Sequence, residues 1–190
     1  TQMITYKNIL EIFQNIANNH YLINSFHSGL LDEVDINKLD GKDYPILYVE
    51  PSTTNVDKGV LTYTFNVYVM STINNKDLAV SSYSATTGKY KFNDTSNREQ
   101  VWSDMLQVMK DIISEFKQNQ SIQTSGDDSG KKISYVPDEI VLNIPVSIEP
   151  FTVRFANMLT GWTSTFSMQV NNDNTLCDIP INPSDNLPNT

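Results

Sequence analysis

The run Leu61-Thr62-Tyr63-Thr64-Phe65-Asn66-Val67-Tyr68-Val69 decides the fold class, because apolar side chains recur at every second position along it. A period of two is typical of a strand with one buried and one exposed face. The run from Trp162 to Val170 alternates in the same way. Residues 140–149 alternate too, but Pro145 removes one backbone donor there, so we expect this strand at an edge or at a bulge.

Three further elements follow from local pattern. The run Tyr44-Pro45-Ile46-Leu47-Tyr48-Val49-Glu50-Pro51 is apolar on both faces, which predicts a central buried strand. From Thr5 to about Ile23, apolar residues recur at three- and four-residue spacing, which predicts an amphipathic helix. A second helix is predicted from Asn97 to near Gln118, with Asn97 as N-cap and Gln100 placed as in a capping box.

The element order (a helix, two strands, a helix, two strands) predicts an α+β fold. We expect a mostly antiparallel four-stranded sheet with two helices packed on one face. The length of 190 residues fits a single domain over residues 1–190. Residues from about 71 to 97 are polar and break the pattern, so they are predicted to form a projecting insertion. From about residue 171 onward we expect an extended C-terminal tail. The residues predicted to be buried in the core are Phe65, Leu106, Ile113 and Phe166.

The insertion carries the candidate contact residues. Two short runs flank Thr86-Thr87-Gly88, and this arrangement predicts a protruding hairpin. Tyr83 precedes the turn, and Tyr90 and Phe92 follow it. Aromatic residues in an otherwise polar projection are typical anchors for a partner surface. We therefore interpret Tyr83, Tyr90 and Phe92 as a partner-contact loop, mobile in the free subunit and ordered in an assembly; the alternative is a passive insertion that has no partner.

The composition argues against several classes of protein. The chain carries 13 Lys and Arg against 22 Asp and Glu, a net charge of −9, whereas nucleic-acid-binding proteins normally present a basic face. No apolar run approaches the ~18 residues that a membrane helix needs. Residues 1–7 lack the pattern of a signal peptide. The single cysteine, Cys177, excludes a disulfide framework. We therefore expect a protein made in a reducing cytoplasm, without membrane contact.

The sequence offers few groups for catalysis, which needs a nucleophile beside a base. The histidines are His20 and His27, and a pair between His27 and Cys177 stays an open alternative that no motif marks. His20, at the end of the first helix, is interpreted as a capping or interface residue. The acidic run 32–36 lacks the ligand spacing of a calcium loop, and zinc-type ligands are missing. We predict no enzyme activity, no catalytic residues, no cofactor and no metal.

Several landmarks form a series along the chain. They are Ile4-Thr5-Tyr6-Lys7-Asn8-Ile9-Leu10, the 44–51 run, Tyr63-Thr64-Phe65-Asn66-Val67-Tyr68-Val69-Met70, Ser103-Asp104-Met105-Leu106-Gln107-Val108, Pro150-Phe151-Thr152-Val153-Arg154-Phe155, Gly161-Trp162 and Cys177-Asp178-Ile179-Pro180. This series resembles small neck and tail-completion proteins of tailed bacteriophages, including crAss-like and related AT-rich phages. Those proteins are similar to tail terminators.

The resemblance implies a tail terminator-like domain in a structural virion protein. Such a protein forms a six- or twelve-fold ring at the head–tail junction or in the tail, and joins connector and tail around the DNA channel. Its partners are adjacent neck or tail ring proteins, while DNA passes through the lumen without specific binding. It is made in the host bacterial cytoplasm and resides in the virion. The alternatives are a non-virion phage protein that binds a host factor, and an enzyme with an unrecognised site.

Overall fold

The structure, a computed structural model, describes residues 3–30, 39, 41–73, 80–93, 97–119, 135–154 and 158–172. Within these ranges the elements are α1 (Tyr6–Asn19), β1 (Ser25–Ser28), a 3-10 turn (Gly41–Asp43), β2 (Ile46–Asp57), β3 (Val60–Thr72), β4 (Val80–Ser84), β5 (Lys89–Asn93), α2 (Arg98–Lys117), β6 (Val141–Leu142), β7 (Ile148–Arg154) and β8 (Met158–Asn171). The fold is α+β, as predicted.

Six strands form one mixed sheet in the order β1-β2-β3-β8, with β6 and β7 both paired to β8. The β1–β2 pair is parallel and the other pairs in this sheet are antiparallel. The prediction of a mostly antiparallel sheet is confirmed, but the prediction of four strands is wrong. The strand β1 was not predicted, because Ser25-Phe26-His27-Ser28 is too short and too polar for its pattern to indicate a strand.

The strand predicted over residues 140–149 is divided in two. Leu142 of β6 pairs with Met168, and Ile148 of β7 pairs with Ser164. Pro145 lies between the two strands, where its missing N–H interrupts the ladder. Most of β7 and the start of β8 lie between Phe151 and Gly161, where no strand was predicted.

The main core lies between both helices and one face of the sheet. The Phe13 ring of α1 lies 6.0 Å from Phe65, 5.8 Å from Phe166 and 5.0 Å from Phe116 of α2, measured between centroids. Phe65 and Phe166 are 1% and 0% exposed. The prediction that both are buried is therefore confirmed, and the helices pack on one face of the sheet as expected.

Two helix residues are less buried than predicted. Leu106 and Ile113 are half-buried, because α2 turns a different line of residues toward the sheet. The buried residues of α2 are Val101, Met105, Val108, Met109, Ile112 and Phe116. Because the apolar face of α2 is broad, the sequence did not show which residues lie at the middle of that face. The packing of α2 against β3 and β8 determines which of them are buried.

The capping box predicted for α2 is found on α1 instead. Asn97 is the N-cap of α2 but makes no side-chain capping hydrogen bond. Gln100 donates from Nε2 to Asp104 Oδ1 at 2.9 Å, along the helix surface. At the start of α1, Thr5 N–H donates to Asn8 Oδ1 at 3.0 Å and Asn8 N–H donates to Thr5 Oγ1 at 3.3 Å. These reciprocal bonds satisfy two N–H groups that would otherwise lack partners.

Candidate interaction surfaces

The β4–β5 hairpin is the predicted protrusion. Its strands are antiparallel, with Ser84 opposite Lys89. Gly88 N–H donates to Ser84 O at 2.8 Å, and Gly88 has φ +64°, a left-handed conformation that glycine adopts without steric cost. The two strands form a sheet of their own, separate from the six-stranded one. The prediction of a hairpin is thus confirmed, and its projection from the domain stays a prediction.

Two of the three predicted contact residues form an exposed aromatic pair on this hairpin. Tyr83 lies opposite Tyr90, and their ring centroids are 5.2 Å apart. Their side chains are 59% and 69% exposed, so neither is buried in the core of its own subunit. The side chain of Phe92 lies outside what the structure describes. A contact of this hairpin with a partner stays a prediction.

The hairpin differs in charge from the rest of the chain. Residues 80–93 contain two lysines, Lys89 and Lys91, and no acidic residue, so the hairpin carries a charge of +2. Since the whole chain carries −9, the remainder carries −11. The Lys89 side chain is exposed. A basic, aromatic element therefore stands on an acidic subunit, and electrostatic complementarity favours an acidic partner surface.

The second surface is the outer edge of β2. β2 runs to Asp57, beyond the predicted end at Pro51. The neighbouring β1 covers this edge only as far as Val49, which pairs with Ser28. Among the described strands, none pairs with the outer edge of β2 beyond Val49. A bulge interrupts the register between Pro51 and Thr54, and regular pairing with β3 then continues to Asp57.

The outer edge of β2 along residues 54–57 is called the open β2 edge below. Every residue of this segment is exposed, and Val56 is 74% exposed. Unpaired N–H and C=O groups on an edge strand readily pair with another chain. The segment Thr54-Asn55-Val56-Asp57 follows a bulge and carries one charge, Asp57, but it contains no lysine or proline.

A polar network lies on the sheet face opposite the helices. Tyr68 O–H donates to Glu50 Oε2 at 3.3 Å, and Asn66 Nδ2 donates to the same oxygen at 3.4 Å. Thr165 Oγ1 donates to Asn66 Oδ1 at 3.3 Å. The pKa of Tyr68 is raised mainly because the phenol is partly buried, and secondly because the Glu50 carboxylate is close to it. The phenol is protonated at neutral pH, so Tyr68 and Asn66 both donate to the same carboxylate oxygen.

The histidines hold structural positions. His20 is the C-cap of α1, and its Nε2 lies 3.2 Å from Asp111 Oδ2 of α2. Leu22 N–H donates to His20 Nδ1 at 3.2 Å, so Nδ1 is an acceptor, and the N–H of the neutral ring lies on Nε2, toward Asp111. This position fits the interpretation of His20 as a capping or interface residue. His27 is half-buried on β1. Cys177 lies outside the described ranges, so the pair of His27 with Cys177 stays an open alternative.

Within the described ranges, no group of three or more His, Cys, Asp or Glu side chains is arranged to hold a metal ion. The acidic run 32–36 lies in a stretch that the structure does not describe. No helix in the described part of the chain is long and apolar enough to cross a membrane.

Comparison with known proteins assigns no family: no family model matches the sequence, and no curated protein matches it. The resemblance to phage neck proteins therefore stays a prediction. The β4–β5 hairpin and the open β2 edge both combine exposed apolar side chains with a strand edge that no other described strand pairs.

The open β2 edge was missed in the sequence, although a signal for it is present. Thr53, Thr54 and Val56 favour strands, and Asp57-Lys58-Gly59 is a typical hairpin turn. Gly59 has φ +78° in the structure, as such a turn requires. Together these residues indicate a strand that continues past Pro51 into a hairpin with β3. Whether its outer edge is paired depends on β1, and no local pattern reports that.

Proposed function

We propose that this chain is a structural virion protein of a tailed bacteriophage. It forms a six- or twelve-fold ring at the head–tail junction or in the tail, as a neck, tail terminator or tail-completion protein. There it joins connector and tail around the DNA channel and contacts adjacent ring proteins. The observation that carries this proposal is the β4–β5 hairpin, whose paired tyrosines are exposed on a strand ladder separate from the main sheet.

A ring requires two different surfaces on each subunit, because head-to-tail contacts close only when one patch meets another patch on the next copy. The exposed hairpin and the open β2 edge are two such different surfaces on one subunit. The pair of surfaces therefore supports a subunit that repeats around an axis.

The acidic charge supports the same role. A net charge of −9 repels the DNA polyanion at the wall of a channel. A basic channel wall would instead bind the DNA, because Lys and Arg side chains neutralise phosphates and release their counterions. DNA is therefore expected to pass through the lumen without specific binding.

Cryo-electron microscopy of the parent particle tests the location of the chain. We expect density for this chain around the axis at the head–tail junction or along the tail. Density only on the outer capsid surface or in fibres would contradict the proposal.

The native mass of the purified chain, with electron micrographs of the same sample, separates the alternatives. A closed ring supports the proposal. A stable monomer that captures a host protein would favour the non-virion binding protein. A catalytic turnover abolished by His27→Ala together with Cys177→Ser, without unfolding, would favour an enzyme.

Replacing both Tyr83 and Tyr90 by serine should disrupt assembly but not folding. Both side chains are exposed, so we expect the melting temperature of the subunit to change by no more than about 2 °C. Loss of two aromatic anchors should weaken assembly at least tenfold, by about 1.4 kcal/mol or more. Sedimentation over a concentration series measures this change.

Tyr21→Ser is the matched control, because Tyr21 is 93% exposed on the turn after α1, distant in sequence from the hairpin. This variant should assemble like the wild type. Equal assembly of the wild type and the hairpin variant would show that the tyrosines contact no partner.

A further inference from the structure

We propose that the β4–β5 hairpin of one subunit docks on the open β2 edge of a second copy of this chain, with β5 pairing antiparallel to β2. The neighbouring sheet is thereby extended by the two strands of the hairpin. This inference rests on the proposed function, since it specifies which surfaces meet between subunits.

The open β2 edge has the properties of a receiving strand. Its residues are exposed on both faces of the strand. On the inner side, β2 pairs with β3 up to the Asp57–Val60 pair. The bulge before Thr54 limits regular pairing to four residues, 54–57. β5 has five residues, Lys89–Asn93, and β4 satisfies only one of its sides. Both strands therefore have one side that no other described strand pairs, and the backbone donors and acceptors of alternate residues on such a side pair in β-augmentation.

The side chains select one register. Antiparallel pairing with Lys89 opposite Asp57 also sets Tyr90 opposite Val56. The first pair joins opposite charges, and the second joins an aromatic residue to a β-branched one; both kinds of cross-strand pair are favourable. Tyr90 and Val56 are 69% and 74% exposed in the subunit, which are high values for apolar side chains on strands. Docking in this register removes both from water.

Charge complementarity supports a second copy as the occupant. The hairpin carries +2 and the remainder of the chain carries −11, and at the edge itself Asp57, beside Lys58, is the acidic group that can face Lys89. The hairpin and the edge are different surfaces, so the contact is heterologous. Repetition of a heterologous contact produces a ring where the rotation closes.

Disulfide trapping tests the register. In a Cys177→Ser background, one chain carries Val56→Cys and another carries Tyr90→Cys, and the two are mixed and oxidised. Residues directly opposite in a ladder have Cβ atoms about 4.5 to 5.5 Å apart, close to what a disulfide requires. We expect a disulfide-linked dimer to form roughly tenfold faster than from either chain alone, because docking raises the local thiol concentration.

The matched control mixes Val141→Cys with Tyr90→Cys. Val141 is also an exposed valine on a strand, 44% exposed on β6, and it should trap no better than chance collision. A fast Val56–Val56 dimer would show that two β2 edges pair with each other. A disulfide within a chain that carries both Val56→Cys and Tyr90→Cys would show that the hairpin folds onto its own edge. Either result overturns the proposed contact.

Charge exchange provides a second readout with intact aromatic residues. Asp57→Lys and Lys89→Asp should each weaken self-association, because each variant sets like charges opposite each other. Asp57→Lys combined with Lys89→Asp in one chain should restore association. Equal weakening by the combined variant would contradict the pairing of these residues.

The native mass of the wild type distinguishes failure of this contact from failure of the proposed function. A ring without Val56–Tyr90 trapping contradicts only the contact assigned here. A monomer at every concentration, together with no ring in the particle, contradicts both.

Discussion

Replacing Phe166 by alanine is expected to lower the free energy of unfolding by about 3 to 5 kcal/mol. Phe166 is 0% exposed, lies opposite Phe65 in the ladder, and has ring centroids 5.8 Å from Phe13 and 5.7 Å from Phe116. The ring therefore fills the space where α1, α2 and the sheet meet. Removal of the ring leaves a cavity, because α1, α2 and the sheet are each held by their own hydrogen bonds and move only partly into the empty space.

Urea unfolding followed by circular dichroism measures this loss, and Thr165→Ala is the control. Thr165 is the preceding residue, exposed on the opposite face of β8. Its replacement removes one exposed hydrogen bond, to Asn66 Oδ1, and should change the free energy of unfolding by no more than about 1 kcal/mol. A larger loss for Thr165→Ala than for Phe166→Ala would show that the faces of β8 are assigned the wrong way round.

Replacing Gly161 by alanine is expected to destabilise the fold by at least about 3 kcal/mol, or to prevent soluble expression. Gly161 lies opposite Met70 in the β3–β8 ladder. A Cβ atom there would lie 2.9 Å from Met70 Cα and 2.9 Å from Val69 C, and closer still to Val69 O. These atoms belong to the backbone of a paired strand, so no side-chain rotation relieves the clash.

Gly41→Ala is the matched control for this variant. A Cβ atom at Gly41 would meet nothing within 4 Å. We expect its melting temperature to stay within about 2 °C of the wild type. Thermal unfolding of both variants makes the comparison, and a Gly161→Ala protein that melts with the wild type would show that β3 and β8 are not in this register.

The candidate contact surface was partly visible in the sequence. Thr86-Thr87-Gly88 between two β-forming runs predicted the hairpin, and alternation placed Tyr83 and Tyr90 on it, because turn chemistry and strand period are local properties. The receiving edge was not visible. It exists because β1 ends opposite Val49 while β2 continues to Asp57. The difference in length between two paired strands cannot be predicted from the local sequence pattern of either strand.

The contact between α2 and β8 was likewise absent from the sequence reading. Trp102 donates from Nε1 to Thr160 Oγ1 at 2.7 Å, and Trp162 donates from Nε1 to Trp102 O at 2.7 Å. These bonds join residues 58 and 60 positions apart in the chain. Each tryptophan alone reads as an apolar residue in a periodic pattern, and only the packing of helix on sheet supplies its polar partner.

The sequence by itself determined the α+β class, both helices, the alternating runs of β3 and β8, and the hairpin. Each follows from periodicity or turn residues within about ten to twenty positions, where side-chain and backbone preferences act directly. Only the tertiary structure decided the parallel addition of β1, the division of the predicted strand around Pro145, and the edge that β2 leaves open. These depend on which distant strands share hydrogen bonds, and that choice minimises the free energy of the whole sheet rather than of any one segment.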